Sequence, residues 1–266
     1  MEFYGSTRVR GFMGANTSGN FFSACLVLSM SLYFIERRTL TKVLIGITIS
    51  LGVCALIITL TRIAWVSFIL SIMILIIIGM KRRWFRFGFL IPVFAILIIV
   101  VIGFWGSITG RFEKDDRGSA YSRIPGMILM TRIIRDHPIL GVGVNNYIDV
   151  RRKYFTEDLR NAPHYPHNQY LLVFVETGIV GFLGFMWFLY EVFKNGIKAI
   201  GSKDFLKSKL AAGISISIFG MCVANLSNAN SAGPVANLMW FLAGFTSAIG
   251  GVPEKEESMK EVRCAV

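Results

Sequence analysis

Three histidines, a set of scattered arginines and Glu176 within an apolar run carry most of the chemical potential of this chain. His164 and His167 lie in Pro163-His-Tyr-Pro-His-Asn-Gln-Tyr170, just before an apolar run. They could be read as metal ligands, but two prolines disfavour a shared helical face and no carboxylate cluster accompanies them, so no metal is expected. His167 or Asn168 is instead a natural N-terminal cap for the helix that follows Pro166. A helix N-terminus at a membrane surface attracts anions, and a phosphate there would be well placed. Asp136-His137-Pro138-Ile-Leu-Gly141-Val-Gly143-Val-Asn145-Asn-Tyr147 is the second notable stretch. Pro138 should stop a preceding helix, and Gly141 and Gly143 permit tight backbone geometry and the close approach of another group. A lone Gly-x-Gly is weak evidence for phosphate binding, and the context is not strand–turn–helix. Glu176 falls inside an apolar run, where an ionisable group is costly and is either functional or paired.

The elements that must position these residues are membrane helices. The chain is 54% hydrophobic and only 17% charged, with a formal net charge of +12 over 266 residues. That excludes intrinsic disorder and argues against a soluble nucleic-acid binder. Apolar runs long enough to span a bilayer occur near 17–35, 43–60, 63–80, 87–106, 169–193, 209–226 and 234–250. The expected fold is all-α, a polytopic helical membrane protein of about seven spans. Residues 1–106 hold four of them, 107–167 form one long extracytoplasmic loop, 168–250 hold three more, and 251–266 are a polar cytoplasmic tail. A single helix over 43–80 would be about 57 Å long, nearly twice the hydrocarbon thickness, so a tight turn is expected at Thr61-Arg62. Basic clusters at Arg37–Lys42, Lys81–Arg86, Lys194–Lys209 and Lys255–Arg263 then all fall on one side, the cytoplasmic one. Arg62 falls on the other. Cys25, Cys54 and Cys222 lie in apolar runs and read as small buried hydrophobes, and no disulfide or zinc spacing occurs.

The long loop should be structured. Ser119–Asp136 has an apolar face of Ile124, Met127, Ile128 and Ile134 at near-helical spacing, with Ser122 as cap and Pro125 in the first turn. Arg123, Arg132 and Arg135 decorate this amphipathic helix, which would lie along the membrane surface. Asn225, Asn228 and Asn230 could bind helices together near the end of the sixth span.

Four stretches together resemble the O-antigen ligase and O-antigen polymerase superfamily of bacterial integral membrane glycosyltransferases: Gly11–Asn16, Thr59-Leu-Thr-Arg62-Ile-Ala-Trp65, Arg123 with the helix leading to Asp136–Gly143, and His167–Leu171 with Glu176–Gly181. Two departures are Ile63 where the family usually has glycine and the lack of a tryptophan shortly after Arg123. Family members are usually longer, so the chain resembles their C-terminal catalytic portion. The resemblance implies transfer of a glycan from a polyprenyl-pyrophosphate carrier on the periplasmic side of the inner membrane. The acceptor would be a lipid A core sugar or another lipid-linked glycan, and no cofactor or metal ion would be needed. It implies Arg62 and Arg123 as stabilisers of the pyrophosphate leaving group and His167 as the base, with His137 second. Asn168, Gly141, Gly143, Asn145, His137, Arg132, Arg135 and Glu176 would complete the substrate site. A transporter or flippase for a lipid-linked or anionic solute is the competing reading, and a non-catalytic membrane subunit a third.

Overall fold

A computed structural model describes residues 13–84, 123–159, 166–229 and 233–251. These residues form eight α-helices and two short 3-10 turns, without strands among them. In chain order the helices are α1 (Ala15–Ile35), α2 (Thr39–Ile58), α3 (Arg62–Lys81), α4 (Arg123–Asp136), α5 (Tyr147–Val150), α6 (Gln169–Ile200), α7 (Phe205–Ala224) and α8 (Pro234–Gly251). Five of them, α1, α2, α3, α6 and α7, are long and apolar enough to cross a membrane. The expected fourth span lies outside the described residues, and the expected seventh is the helix α8, which is not among the five. The protein is a polytopic helical membrane protein.

Burial inverts the usual soluble order. The least apolar of the five long helices, α7, is the most buried, whereas α2 is largely exposed. In lipid, apolar side chains gain nothing by leaving the surface, and close packing of small residues drives association instead. The sequence of α7 supplies such residues. Gly213 abuts the Ser31 side chain of α1, and Gly220 abuts Ser71 of α3. Ser217 Oγ donates to Ala24 O of α1 at 3.0 Å. Leu40, Val43, Leu44, Ile47 and Leu51 of α2 face outward, as lipid-facing residues do.

The expected break between the second and third spans occurs at Thr59–Thr61. Leu60 adopts φ 50, Thr59 Oγ1 and the Trp65 indole N–H both donate to Leu56 O at 2.7 and 3.2 Å, and Thr61 Oγ1 donates to Ala15 O at 3.0 Å. The turn is thereby tied to the start of α1, and Arg62 emerges from it as the first residue of α3.

Hydrogen bonds between helix ends define two ends of the bundle. At one, Lys209 Nζ donates to Phe34 O at 2.6 Å and Arg82 Nη1 to Gly201 O at 3.4 Å. This basic end gathers the C-termini of α1, α3 and α6 and the start of α7. Lys42, Lys194, Lys198, Lys207 and Lys209, expected in connecting loops, lie within helical turns instead. At the opposite end the starts of α1, α3 and α6 meet the end of α7, where Gln169 N donates to Asn225 O at 3.0 Å. Asn225, one of the expected interhelical polar residues, also reaches Met239 Sδ of α8 at 3.9 Å.

Candidate functional site

At that opposite end a small separate core holds α4 against the first turns of α6. Leu129, Met130 and Ile133 of α4 pack with Tyr147, Leu159, Leu172 and Val175. The apolar face expected from periodicity differs: Ile124, Met127 and Ile128 are exposed, and only Ile134 is packed against this core. Because α4 is apolar on two sides, spacing alone does not choose between them.

The two helices are joined by a backbone splice. Helix α6 breaks at Gly178, with φ 63 and ψ −167. In an unbroken helix Ile179 N–H would bond Val175 O, and Val180 N–H would bond Glu176 O. Instead, Val142 N and Gly143 N donate to Val175 O and Glu176 O, both at 2.9 Å. Ile179 N and Val180 N donate to Pro138 O and Ile139 O at 2.9 and 3.4 Å. All four orphaned groups are satisfied by the loop that follows α4, which ends before Pro138 as its sequence requires. Gly141 and Gly143 have positive φ. A Cβ on Gly141 would lie 2.5 Å from Glu176 C, and one on Gly178 would lie 2.1 Å from Ile139 O. The group whose close approach Gly141 permits is the backbone of α6, whereas a Cβ on Gly143 would meet Asn146 Nδ2 at 2.6 Å.

The remaining helix from Ile179 to Ile200 is about 33 Å long at 1.5 Å per residue, close to the hydrocarbon thickness. The stretch Gln169–Thr177 is a separate half-helix, and Glu176 is in it, half-buried and without an ion pair among the described residues. Asn168, not His167, caps it: Asn168 Oδ1 accepts from Leu171 N at 3.0 Å, and Asn168 Nδ2 donates to Leu226 O at 3.2 Å.

A cleft of about 50 Å³ opens between α4 and this cap. Arg123, His167, Asn168, Tyr147 and Ser227 line it together with Gly126, Met127, Met130, Pro166 and Leu226, with no carboxylate among the described lining residues. The Arg123 guanidinium donates to Ser227 Oγ. Burial, and then the like charge of Arg62, push Arg123 below its ordinary value. Burial, and then the charge of Arg123, push His167 below its ordinary value, so its imidazole is neutral at pH 7. Arg62, Arg123 and His167, far apart in sequence, are thus electrostatic neighbours.

Other expected site residues stand elsewhere. Gly141, Gly143 and Glu176 belong to the splice. Asn145 is exposed with φ 64, in a turn closed by Asn146 Nδ2 donating to Val142 O at 3.1 Å. His137 and Arg135 are exposed at the far end of α4, about 20 Å along the helix from Arg123. Arg132 Nη1 donates to Thr156 Oγ1 at 2.9 Å. Arg132 and Arg135 border a shallow groove of about 500 Å³ over Ile124, Met127 and Ile128. Gly11 and Phe12 of the entry stretch, Ser122, His164 and Asn230 lie outside the described residues. Ser227 and Tyr147 are not singled out by sequence; the polar string around Asn225 and Asn228 is the signal that points towards the first.

A family model described as O-antigen ligase matches residues 47–186, a stretch containing Arg62, Arg123, the splice and His167. No curated protein matches the chain. The matched stretch is just over half of the 266 residues, and the chain belongs to the O-antigen ligase family.

Proposed function

We propose that the protein transfers a glycan from a polyprenyl-pyrophosphate carrier to a sugar hydroxyl on the extracytoplasmic side of the cytoplasmic membrane. The acceptor is a lipid A core sugar or a second lipid-linked glycan. One observation carries this reading: Arg123 and a neutral His167 line one cleft with no carboxylate among its described residues, and the charge of Arg62 lies near enough to depress Arg123. An anion bound beside Arg123 would be stabilised by both guanidinium charges.

In the proposed reaction the acceptor hydroxyl oxygen attacks the anomeric carbon of the donor. The bond from that carbon to the phosphate oxygen breaks, and its electron pair leaves with the pyrophosphate. Arg62 and Arg123 stabilise the developing charge, a task to which planar guanidinium forks are suited. His167 accepts the hydroxyl proton, which its neutral state allows. Direct displacement inverts the anomeric configuration. The basic end of the bundle faces the cytoplasm, in keeping with the distribution of Lys and Arg in short loops.

The test is glycan transfer by purified Arg62→Ala, Arg123→Ala and His167→Ala proteins in bilayers. Each variant should insert and lose transfer; normal transfer by all three would reject the reading. The break in α6 gives a transporter reading one supporting feature, since transporters use discontinuous helices to hold solutes. Here, however, loop backbone already occupies the freed groups. Solute transport by the purified protein in vesicles, without glycan transfer, would favour that alternative.

A further inference from the structure

Tyr147 is 1% exposed and belongs to the small core beneath the cleft that it lines. Its hydroxyl is buried with no hydrogen-bond partner among the described residues. An unpaired buried donor costs free energy that ring packing does not require, because phenylalanine would fill the same space without it. The hydroxyl therefore calls for a partner that arrives with a ligand. The cleft has room for about four water molecules, roughly the size of a phosphoryl group. Arg123, Ser227 and His167, the last with a neutral imidazole, also line it. Burial pushes the Tyr147 hydroxyl up, more than the nearby charge of Arg151 draws it down, so it stays protonated and able to donate.

We propose that Tyr147 is a further donor-binding residue, whose hydroxyl donates a hydrogen bond to a phosphoryl oxygen of the anionic headgroup held by Arg123. This rests on the pyrophosphate reading above and assigns a residue that the motifs leave out. A hydrogen bond from a neutral hydroxyl to a charged oxygen is among the stronger kinds, so its loss should weaken binding about tenfold.

The experiment measures binding of polyprenyl pyrophosphate to the protein in lipid nanodiscs, for the natural chain, Tyr147→Phe and Arg123→Ala, with the thermal midpoint of each. Tyr147→Phe should bind about tenfold more weakly at an unchanged or higher midpoint. In transfer assays its KM for the donor should rise while kcat stays near that of the natural chain. Unchanged affinity in Tyr147→Phe, with weakened binding in Arg123→Ala, overturns this inference alone. Affinity lost together with thermal stability marks Tyr147 as structural and overturns it too. Equal binding by the natural chain and Arg123→Ala, or none by either, overturns the pyrophosphate reading and this inference with it.

Discussion

The two ends of the helix bundle both carry buried or half-buried cations, but they hold them against different ends of their helices. At the basic end, Lys209 caps Phe34 O at the C-terminus of α1, with its ammonium 3.6 Å from the Phe205 ring centroid. Arg82 reaches Gly201 O, just past the end of α6. Helix C-termini carry partial negative charge, so these cations complement the helices they touch. At the other end, Arg62 is the first residue of α3 and Arg123 the first of α4. Helix N-termini carry partial positive charge, and the neighbour that Arg123 feels is another arginine. At the basic end the cations are bonded to helix carbonyls. At the other they stand at helix starts, where an anion would be favoured.

Exchanging roles between the ends should produce the largest effects. Removing Arg123 should lower glycan transfer by about 10²–10³, as loss of a charge-stabilising donor does, while thermal stability holds or rises slightly. Lys209→Ala should do the reverse, leaving turnover intact and lowering the thermal midpoint by roughly 2–4 °C, since Phe34 O loses its donor. A Lys209 variant that lost transfer at an unchanged midpoint would break the contrast.

The splice at Gly178 holds the half-helix that follows His167 against the loop after α4, and Gly178→Ala tests it. A Cβ there meets Ile139 O and requires an unfavourable left-handed conformation costing about 1–3 kcal/mol, besides the clash. Transfer should fall about tenfold or more through displacement of the half-helix that follows His167, and limited proteolysis should find the 138–159 segment newly cleavable.

A smaller effect concerns pH. His167 titrates below its usual value near 6.5, and the proposed base is the neutral form. Activity should therefore be flat near pH 7 and fall as pH drops through that lowered value. In the ligand-free protein, Arg123→Gln removes a repelling charge, so the His167 titration followed by NMR should move up towards the ordinary value; no movement would contradict the neighbourhood described here. The smallest effects are expected for Arg135→Ala and His137→Ala, both exposed and remote from the cleft, which should change transfer less than about threefold.

Much of the fold was legible because membranes impose strong limits. The turn before Arg62 follows from the impossibility of a helix of about 57 Å between two loops of like charge. Chain reversal at Pro138 and the cap at Asn168 follow from local chemistry. The break at Gly178 was not legible. Its surroundings, Val175-Glu-Thr-Gly-Ile-Val180, continue the apolar helical pattern, and a glycine in a membrane helix usually reports packing. Only the loop threaded against it shows that Gly141 and Gly178 serve one junction. Arg62, Arg123 and His167 were legible through motif resemblance and span alternation together. Ser227 and Tyr147 were not, because a single hydroxyl acquires meaning only from the neighbours folding gives it.

The central claim is that the cations opposite the basic end serve transfer rather than stability. Its most direct measurement is single-turnover transfer from a polyprenyl-pyrophosphate-linked glycan to a sugar acceptor in nanodiscs, comparing Arg123→Gln with Lys209→Gln. The account predicts about a hundredfold loss or more for Arg123→Gln with its fold intact, and a near-natural rate for Lys209→Gln with lowered stability. Transfer by Arg123→Gln at the natural rate would contradict it.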